Sequence, residues 1–159
     1  MGPTEPGTYI LLLRCTVRRS LEVGRLGVLH LEPGYYAYVG SALGPGGLEA
    51  RLGRHLGGSG RTHWHIDYLR AHAKPIEAWY CRGASRREHL WSEALRVSAG
   101  ASIPLSGFGA SDCRCESHIF FFARRPSRAA FEDRLRRQSL LEGRLWRWSR
   151  RSAGLVRAG

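Results

Sequence analysis

Apolar residues in the chain follow two different spacings, one typical of strands and one typical of helices. Residues 8–15 (TYILLLRC) form a continuous apolar run that predicts a central strand, and residues 25–31 alternate as expected of its hairpin partner. Residues 35–40 and 76–81 predict two further strands, and residues 118–123 (HIFFFA) predict a short final one.

Helical spacing occupies the segments between these strands. Leucines at every fourth position predict a helix over residues 48–56. Residues 63–72 and 85–100 predict two more helices, the second with Ser85 as its N-cap. The elements do not repeat as strict βαβ units, so the predicted fold class is α+β, with a small mixed or antiparallel sheet flanked by helices.

The last part of the chain differs in composition from the rest. We assign residues 1–125 to one domain and residues 126–159 to an arginine-rich C-terminal extension. Residues 124–159 contain eleven arginines and only three carboxylates. The extension could form a basic helix that docks on the domain, binds nucleic acid or stays partly disordered, and the sequence does not decide among these.

The net charge indicates the class of partner. The formal charge is +12, and Lys74 is the only lysine, so almost all of the cationic charge is arginine. Because guanidinium groups match phosphate oxygens in a bidentate geometry, we expect nucleic acid rather than a membrane. The alternative is that this charge only supports solubility.

The start of the chain and its cysteines indicate a compartment. The segment MGPTEPGTYILLLRC lacks the pattern of a signal peptide, and no apolar run reaches membrane-spanning length. We therefore expect a cytoplasmic protein whose four cysteines are thiols or metal ligands rather than disulfides.

A glycine-rich turn, SALGPGG at residues 41–47, connects a predicted strand to a predicted helix. It lacks the Lys-Ser/Thr pair of a P-loop and the spacing and βαβ context of a dinucleotide-binding fingerprint. The turn brings Tyr38 towards Arg51 and His55, which share one helical face. A phenol, a guanidinium and an imidazole at one junction could serve phosphodiester chemistry.

These residues resemble a known nuclease family. GTY at residues 7–9 and YVG at residues 38–40 look like the two halves of the signature of the GIY-YIG nuclease superfamily, with Arg51 and His55 following in order. YVGSALGPGG, HWHIDYL and GFGASDCRCESH are similar to features of its small stand-alone branch, the Uri-type GIY-YIG-like proteins. The resemblance covers roughly residues 7–123. It implies a helix-flanked sheet of this type and an endonuclease that hydrolyses DNA phosphodiester bonds with one divalent metal ion.

The resemblance also implies roles for individual residues. Tyr9 shapes the site and orders water, and Tyr38 acts as the general base or orients the attacking water. Arg51 stabilises the transition state, and His55 or His65 assists proton transfer. Because a phenol titrates near ~10, Tyr38 as a base requires a neighbouring cation or metal. The alternative for both tyrosines is that they fill strand positions.

In the family, a carboxylate on the third helix holds the metal, and residues 85–100 contain two candidates. Glu88 has apolar and small residues on its own side of the helix, whereas Glu93 is followed at those offsets by Arg96 and Val97. We predict Glu88, with Glu93 as the alternative, as the ligand of Mg²⁺ or Mn²⁺. The other glutamate is expected at the surface.

Gly40, Ser41, Arg54 and Arg61 are predicted to contact the nucleic acid, with DNA expected ahead of RNA. The alternative function is a nucleic-acid-binding module that keeps the fold without catalysis. Such a module has no need of a glutamate that would repel phosphate in the absence of a metal. The sequence leaves the oligomeric state open.

Histidines and cysteines supply further candidates. In HWHIDYL, we expect His63 or His65 to reach the phosphodiester site and Asp67 to orient a neighbour, and the alternative is packing and capping at the helix start.

The segment SDCRCESH has the pattern C-x-C-x₂-H. Cys113, Cys115 and His118 could supply three ligands of a structural Zn²⁺, with Cys81 or a histidine as the fourth. The spacing differs from a standard C-x₂-C knuckle, so the alternative is that buried thiols support the loop.

Overall fold

The computed structural model describes residues 4–57, 64–110 and 113–149. Within these segments, the elements in chain order are β1 (Gly7–Cys15), β2 (Arg19–Val23), β3 (Gly27–Leu31), β4 (Gly34–Ala42), α1 (Gly47–Gly57), α2 (His65–Arg70), β5 (Lys74–Arg82), α3 (Glu88–Arg96), β6 (Ile119–Phe122), α4 (Arg128–Arg137) and β7 (Trp146–Ser149). None of these helices combines the length and the apolar character that crossing a bilayer requires.

A five-stranded antiparallel sheet, in the order β6-β4-β1-β5-β7, forms the centre of the fold. β1 pairs with β4 along one edge and with β5 along the other, and Tyr9 lies opposite Gly40 and Tyr80. Every residue of β1 except Arg14 is buried, which explains its continuous apolar run. The predicted α+β class, with an antiparallel sheet flanked by helices, is confirmed.

Both faces of this sheet are covered. α1, α2 and the β2–β3 hairpin pack on the face that carries Tyr9 and Leu11. α3 and α4 pack on the face that carries Ile10 and Leu12. Because side chains alternate along a strand, β1 lies at the centre of two separate hydrophobic cores.

The strand predicted over residues 25–31 has a different partner from the one expected. β3 pairs with β2 in a separate two-stranded sheet, with Leu21 opposite Leu29, and not with β1. The predicted pairing is wrong because both edges of β1 are already occupied along their length by β4 and β5. The hairpin instead packs Val23, Leu29 and Leu31 on the first core.

Residues 128–149, which belong to the predicted extension, pack on the rest of the fold. Phe131 of α4 is buried against the second core. The carbonyl oxygen of Leu140 accepts a hydrogen bond of 3.1 Å from Nε1 of Trp91 in α3, and β7 joins the sheet beside β5. Of the alternatives for the extension, residues 128–149 therefore dock on the domain. Residues 150–159 lie outside the described residues.

β4 is longer than its outer neighbour. β6 pairs with β4 only from Tyr35 to Tyr38. Beyond that point, the last residues of β4 have β1 on one side and, among the described residues, no strand on the other. Side chains from the helices on both faces of the sheet can therefore meet around this strand end.

Candidate functional site

A cleft of about 500 Å³ opens beside the end of β4, where the pairing with β6 stops. Its lining comes from β4 and the loop after it, from α1, from the start of α2, from the start of α3 and from the segment before β6. These residues are Tyr38, Gly40, Ser41, Leu43, Gly44, Arg51, Trp64, His65, Arg86, Glu88, Gly109 and His118. Four of the predicted catalytic residues, Tyr38, Arg51, His65 and Glu88, meet in this cleft.

Tyr9 and His55 form an inner layer behind this cleft. Both residues are 1% exposed, and the hydroxyl of Tyr9 lies 3.0 Å from Nε2 of His55. The ring of Tyr9 is 6.5 Å from the ring of Tyr38, measured between centroids. These two predicted site residues therefore pack next to the Tyr38 ring, on the buried side of the cleft.

Because Gly40 has no side chain, the Tyr9 ring can pack directly against its backbone. It lies opposite Tyr9 in the β1–β4 register, and a Cβ atom at this position would be 2.5 Å from the Tyr9 hydroxyl oxygen. A larger residue would displace the phenol from His55. The predicted contact of Gly40 with nucleic acid stays a prediction, and the close approach of Tyr9 is a separate reason for glycine here.

Burial keeps both phenols protonated. It raises the pKa of Tyr9 to about 12, against the opposing charge of Arg51. Burial also raises the pKa of Tyr38 well above its ordinary value, and the neighbouring Tyr9 adds to this shift. Tyr38 is therefore suited to orient a water molecule by hydrogen bonding, and it could remove a proton only beside a bound cation.

The imidazole of His55 is buried in its neutral form. Burial, followed by the positive charges of Arg70 and Arg51, lowers the pKa of His55 to about 3. A free imidazole titrates near ~6.5. Between these two pH values, the unfolded chain binds a proton that the folded chain does not, so the free energy of unfolding decreases as the pH falls.

We expect His55 to make the fold sensitive to acid. From pH 6.5 to pH 4, the wild type should lose up to about 3 kcal/mol of unfolding free energy through this group. The variant His55→Gln should be less stable than the wild type at pH 7, and the difference should shrink as the pH falls. Urea unfolding at several pH values measures this, with His30→Gln on the exposed side of β3 as the control. A difference that stays constant from pH 7 to pH 4 would contradict the expectation.

Asp67 connects α1 to α2 by ion pairs. Its carboxylate, whose side chain is 5% exposed, accepts hydrogen bonds from Arg54 at 2.9 Å and Arg70 at 3.2 Å. It also accepts one from the backbone N–H of Trp64 at 2.8 Å. The guanidinium of Arg54 lies 4.0 Å from the Trp64 ring centroid, so Arg54 is part of the scaffold of the site. Its predicted contact with nucleic acid stays a prediction.

Arg51 differs from Arg54 in its surroundings. It lines the cleft, and its guanidinium lies 4.4 Å from the ring centroid of Trp64, the residue that precedes α2. An arginine that stacks on an indole keeps its charge while losing freedom of movement. Arg51 therefore presents a positioned cation to whatever enters the cleft.

Backbone hydrogen bonds from within the chain occupy the N–H groups at the end of the glycine-rich turn. The N–H of Leu48 donates to the carbonyl of Glu5 at 2.9 Å, and the N–H of Gly47 donates to that of Gly44 at 3.1 Å. Gly47 has a φ of +59°, and a Cβ there would lie 2.2 Å from the carbonyl oxygen of Thr4. The backbone thus engages these N–H groups at the start of α1, and the turn has a structural reason for its glycines.

The two glutamates of α3 have different environments. The Glu88 side chain is 13% exposed and lines the cleft, where its Oε2 accepts a hydrogen bond from the Ser41 hydroxyl at 2.8 Å. The Glu93 side chain is 61% exposed and pairs with Arg96 at 2.9 Å. Glu88 is therefore the carboxylate that the fold brings into the cleft, and Ser41 is its partner.

His65 lines the cleft with a defined orientation. Its Nδ1 accepts a hydrogen bond from the backbone N–H of Gly109 at 2.8 Å. In the neutral ring, the proton is then on Nε2, and burial lowers the pKa of His65, which favours this neutral form. The predicted residues His63 and Arg61 lie outside the described residues.

A second cluster of reactive side chains lies next to the cleft. Cys113, Cys115 and His118 are joined there by His89 of α3, and one ligand atom from each lies within 4.8 Å of the others. This set could hold a metal ion. Three of the four were predicted from the sequence, with Cys81 or a histidine as the fourth ligand. Cys81 is buried in the second core, and the fourth member is the histidine His89. The sequence contains no motif that links His89 to the two cysteines, because only the fold brings α3 to this loop.

The family to which this chain belongs differs from the one that its motifs resemble. The family described as "Domain of unknown function DUF123" matches residues 8–140. No curated protein and no solved structure matches the chain. DUF123 is a distinct family, so the assignment to the GIY-YIG superfamily is wrong. The tripeptides that suggested it, at residues 7–9 and 38–40, are short segments of two neighbouring strands. Because the match spans most of the chain and continues through α4, this protein belongs to the DUF123 family.

Proposed function

We propose that this DUF123 protein is a metal-dependent endonuclease that hydrolyses phosphodiester bonds in nucleic acid, with DNA ahead of RNA. One observation carries the proposal: Tyr38, Arg51, His65 and Glu88 line a single cleft. Together they supply a phenol, a guanidinium, an imidazole and a carboxylate. Phosphodiester hydrolysis uses such groups to orient water, stabilise phosphoryl charge, transfer a proton and hold a metal ion.

Glu88 supports the metal requirement. One of its oxygens accepts the hydrogen bond from Ser41, and the other lies 4.0 Å from Nε of Arg86 and 3.8 Å from Nε2 of His89. Proteins commonly hold Mg²⁺ through one or two carboxylates together with substrate phosphates and water. We therefore expect Glu88 to hold Mg²⁺ or Mn²⁺. Such an ion supplies polarisation of a phosphoryl oxygen and a lowered pKa for water.

The other side chains of the cleft contribute position and charge. Arg51 is suited to neutralise the charge on phosphoryl oxygens. Tyr38 retains its proton and is suited to orient water, and His65 is suited to donate a hydrogen bond from Nε2. Tyr9 and His55 act behind them as positioning residues.

The charge of the chain supports a nucleic acid as the substrate. The net charge is +12, and Arg86 in the cleft wall has a side chain that is 60% exposed. Contacts between cationic side chains and phosphates supply much of the affinity for nucleic acid. Cys15, Cys81, Cys113 and Cys115 are free thiols, and the cytoplasm is the compartment we propose for them.

Loss of Arg51 should affect the chemical step more than binding. We expect Arg51→Ala to lower kcat for cleavage by about 100-fold, with a smaller change in KM, because a positioned cation acts mainly on the transition state. Arg86→Ala is the matched control and should raise KM with little change in kcat. Steady-state kinetics on a labelled oligonucleotide separate the two, and equal losses of kcat would contradict this role for Arg51.

The proposal is tested by incubating the protein with supercoiled plasmid, a branched DNA oligonucleotide and single-stranded RNA in Mg²⁺, Mn²⁺ or EDTA. We expect nicking of DNA with either metal and none with EDTA. A folded protein that binds DNA and cuts none of these substrates under any condition would reject the enzyme.

A non-catalytic nucleic-acid-binding module is the second candidate. The observation that favours it is that Tyr38 keeps its proton and Nδ1 of His65 is engaged by Gly109, so neither group is suited to take a proton from water. A module of this kind would bind with an affinity that falls steeply with salt and does not depend on Mg²⁺. Binding titrations at several salt concentrations, with and without Mg²⁺, distinguish it from the enzyme.

A further inference from the structure

We propose that His89, Cys113, Cys115 and His118 form a structural Zn²⁺ site. This site is separate from the Mg²⁺ or Mn²⁺ position expected at Glu88, and it does not depend on the proposed hydrolysis. Its four ligand atoms lie within 4.8 Å of one another. They come from two parts of the fold: α3 supplies His89, and the segment before β6 supplies Cys113, Cys115 and His118.

Two of the distances between ligand atoms are close to those of a tetrahedral zinc site. Sγ of Cys113 lies 3.3 Å from Nε2 of His118, and Sγ of Cys115 lies 3.3 Å from Nδ1 of His89. With Zn–S of about 2.3 Å and Zn–N of about 2.0 Å, neighbouring sulfur and nitrogen ligands of a tetrahedral site are about 3.5 Å apart. Each of these pairs needs to separate by only a few tenths of an ångström to accept the ion.

The outer nitrogens of the two histidines also have suitable neighbours. Nδ1 of His118 lies 3.3 Å from the carbonyl oxygen of Val39. Because a carbonyl only accepts, that nitrogen carries the proton, and Nε2 presents its lone pair to the cysteines. Nε2 of His89 faces Oε1 of Glu88 at 3.8 Å. Carbonyl and carboxylate partners of this kind fix the orientation and the tautomer of metal-binding histidines.

The ligand types favour zinc over the hard cations. A tetrahedral set of two sulfurs and two nitrogens is typical of Zn²⁺, whereas Mg²⁺ prefers oxygen. Binding releases two thiol protons, and the two thiolates then balance the charge of the ion. Four protein ligands leave no open position for a substrate, so the site is structural rather than catalytic.

The expected consequence is a fixed wall for the cleft. The loop that carries the cysteines also carries Gly109, whose N–H holds His65. His118 lines the cleft itself, and His89 directly follows Glu88 on α3. Zinc would therefore fasten the loop to the start of α3, and this contact fixes two sides of the cleft at once.

The test is the metal content of the purified protein, measured by elemental analysis after expression with added Zn²⁺. We expect about one zinc per chain in the wild type, and less than about 0.2 in Cys113→Ser/Cys115→Ser and in His89→Gln. Cys81→Ala and His30→Gln, which change a thiol and an imidazole outside the cluster, should retain the ion. Removal of zinc from the wild type by a chelator should lower Tm by about 10 °C or more.

A second measurement keeps the proposal testable if the double variant does not fold. Replacement of zinc by Co²⁺ in the wild type should give the absorption bands of a four-coordinate ion and a thiolate charge-transfer band. A six-coordinate spectrum without that band would overturn the proposal. So would a folded wild type that binds less than about 0.2 zinc per chain, zinc retained in the double serine variant, or a Cys113–Cys115 disulfide found by thiol titration.

Discussion

Glu88→Ala should abolish metal-dependent cleavage of DNA, with a loss of at least about 10³-fold in kcat. The reason is that, among the described residues, Glu88 is the carboxylate that lines the cleft, and its side chain is 13% exposed. A bound divalent ion contributes several kcal/mol to the stabilisation of charge in the transition state, and each 1.4 kcal/mol corresponds to about tenfold in rate. Cleavage assays across a range of Mn²⁺ concentrations measure both the loss and any shift in metal affinity.

Glu93→Ala is the matched control, because it removes an exposed glutamate from the same helix. It should leave cleavage within about twofold of the wild type. Since His89 follows Glu88 directly, the zinc content of each variant has to be measured alongside its activity. Glu88→Ala that retains both zinc and full cleavage, with activity lost in Glu93→Ala instead, would transfer the metal-binding role to Glu93. If a cleft variant loses zinc, its loss of cleavage would reflect a disturbed contact between the cysteine loop and α3, and not the loss of a catalytic group.

Asp67→Ala should be the most destabilising single change in the scaffold of the cleft. The variant removes a carboxylate that pairs with both Arg54 and Arg70, and it leaves two guanidinium groups with little access to water. Breaking a buried pair by removing one partner commonly costs about 3–5 kcal/mol. For a chain of this size, we expect Tm to fall by about 10 °C or more, measured by calorimetry or circular dichroism.

Asp133→Ala provides the comparison for this result. Asp133 pairs with Arg137 at 2.9 Å on α4, but both side chains are about two-thirds exposed. Solvent screens such pairs, so the loss should be below about 0.5 kcal/mol. If Asp67→Ala and Asp133→Ala shift Tm by the same amount, the junction between α1 and α2 does not depend on the buried carboxylate.

The sequence predicts the elements that surround the cleft with good accuracy, for a physical reason. The run at residues 8–15 has few polar residues because its strand is buried on both faces, and the leucines of α1 are four apart because one side of that helix meets the sheet. These patterns are local. The partner of residues 25–31 is not a local property, since it depends on which strands occupy the two edges of β1.

The same limit applies to the extension. Its arginines dominate its composition, yet Phe131 and Leu135 of α4 are buried and β7 completes an edge of the sheet. A few apolar residues among many charges do not show whether a helix has a surface to pack on. That depended on α3 and β5, which are distant in sequence.

The sequence by itself determined the fold class and the order of strand, glycine-rich turn and helix that carries Tyr38, Arg51 and His55. Residue type and spacing are enough for these, because burial and helical periodicity act within a single element. Only the tertiary structure decided that β4 extends beyond the end of β6. Tyr38, Arg51, His65 and Glu88 share one cleft beside this strand end. It also decided that His89 is the fourth member of the cluster with Cys113, Cys115 and His118, because the packing of α3 against β4 and β6 brings together groups that have no fixed separation in sequence.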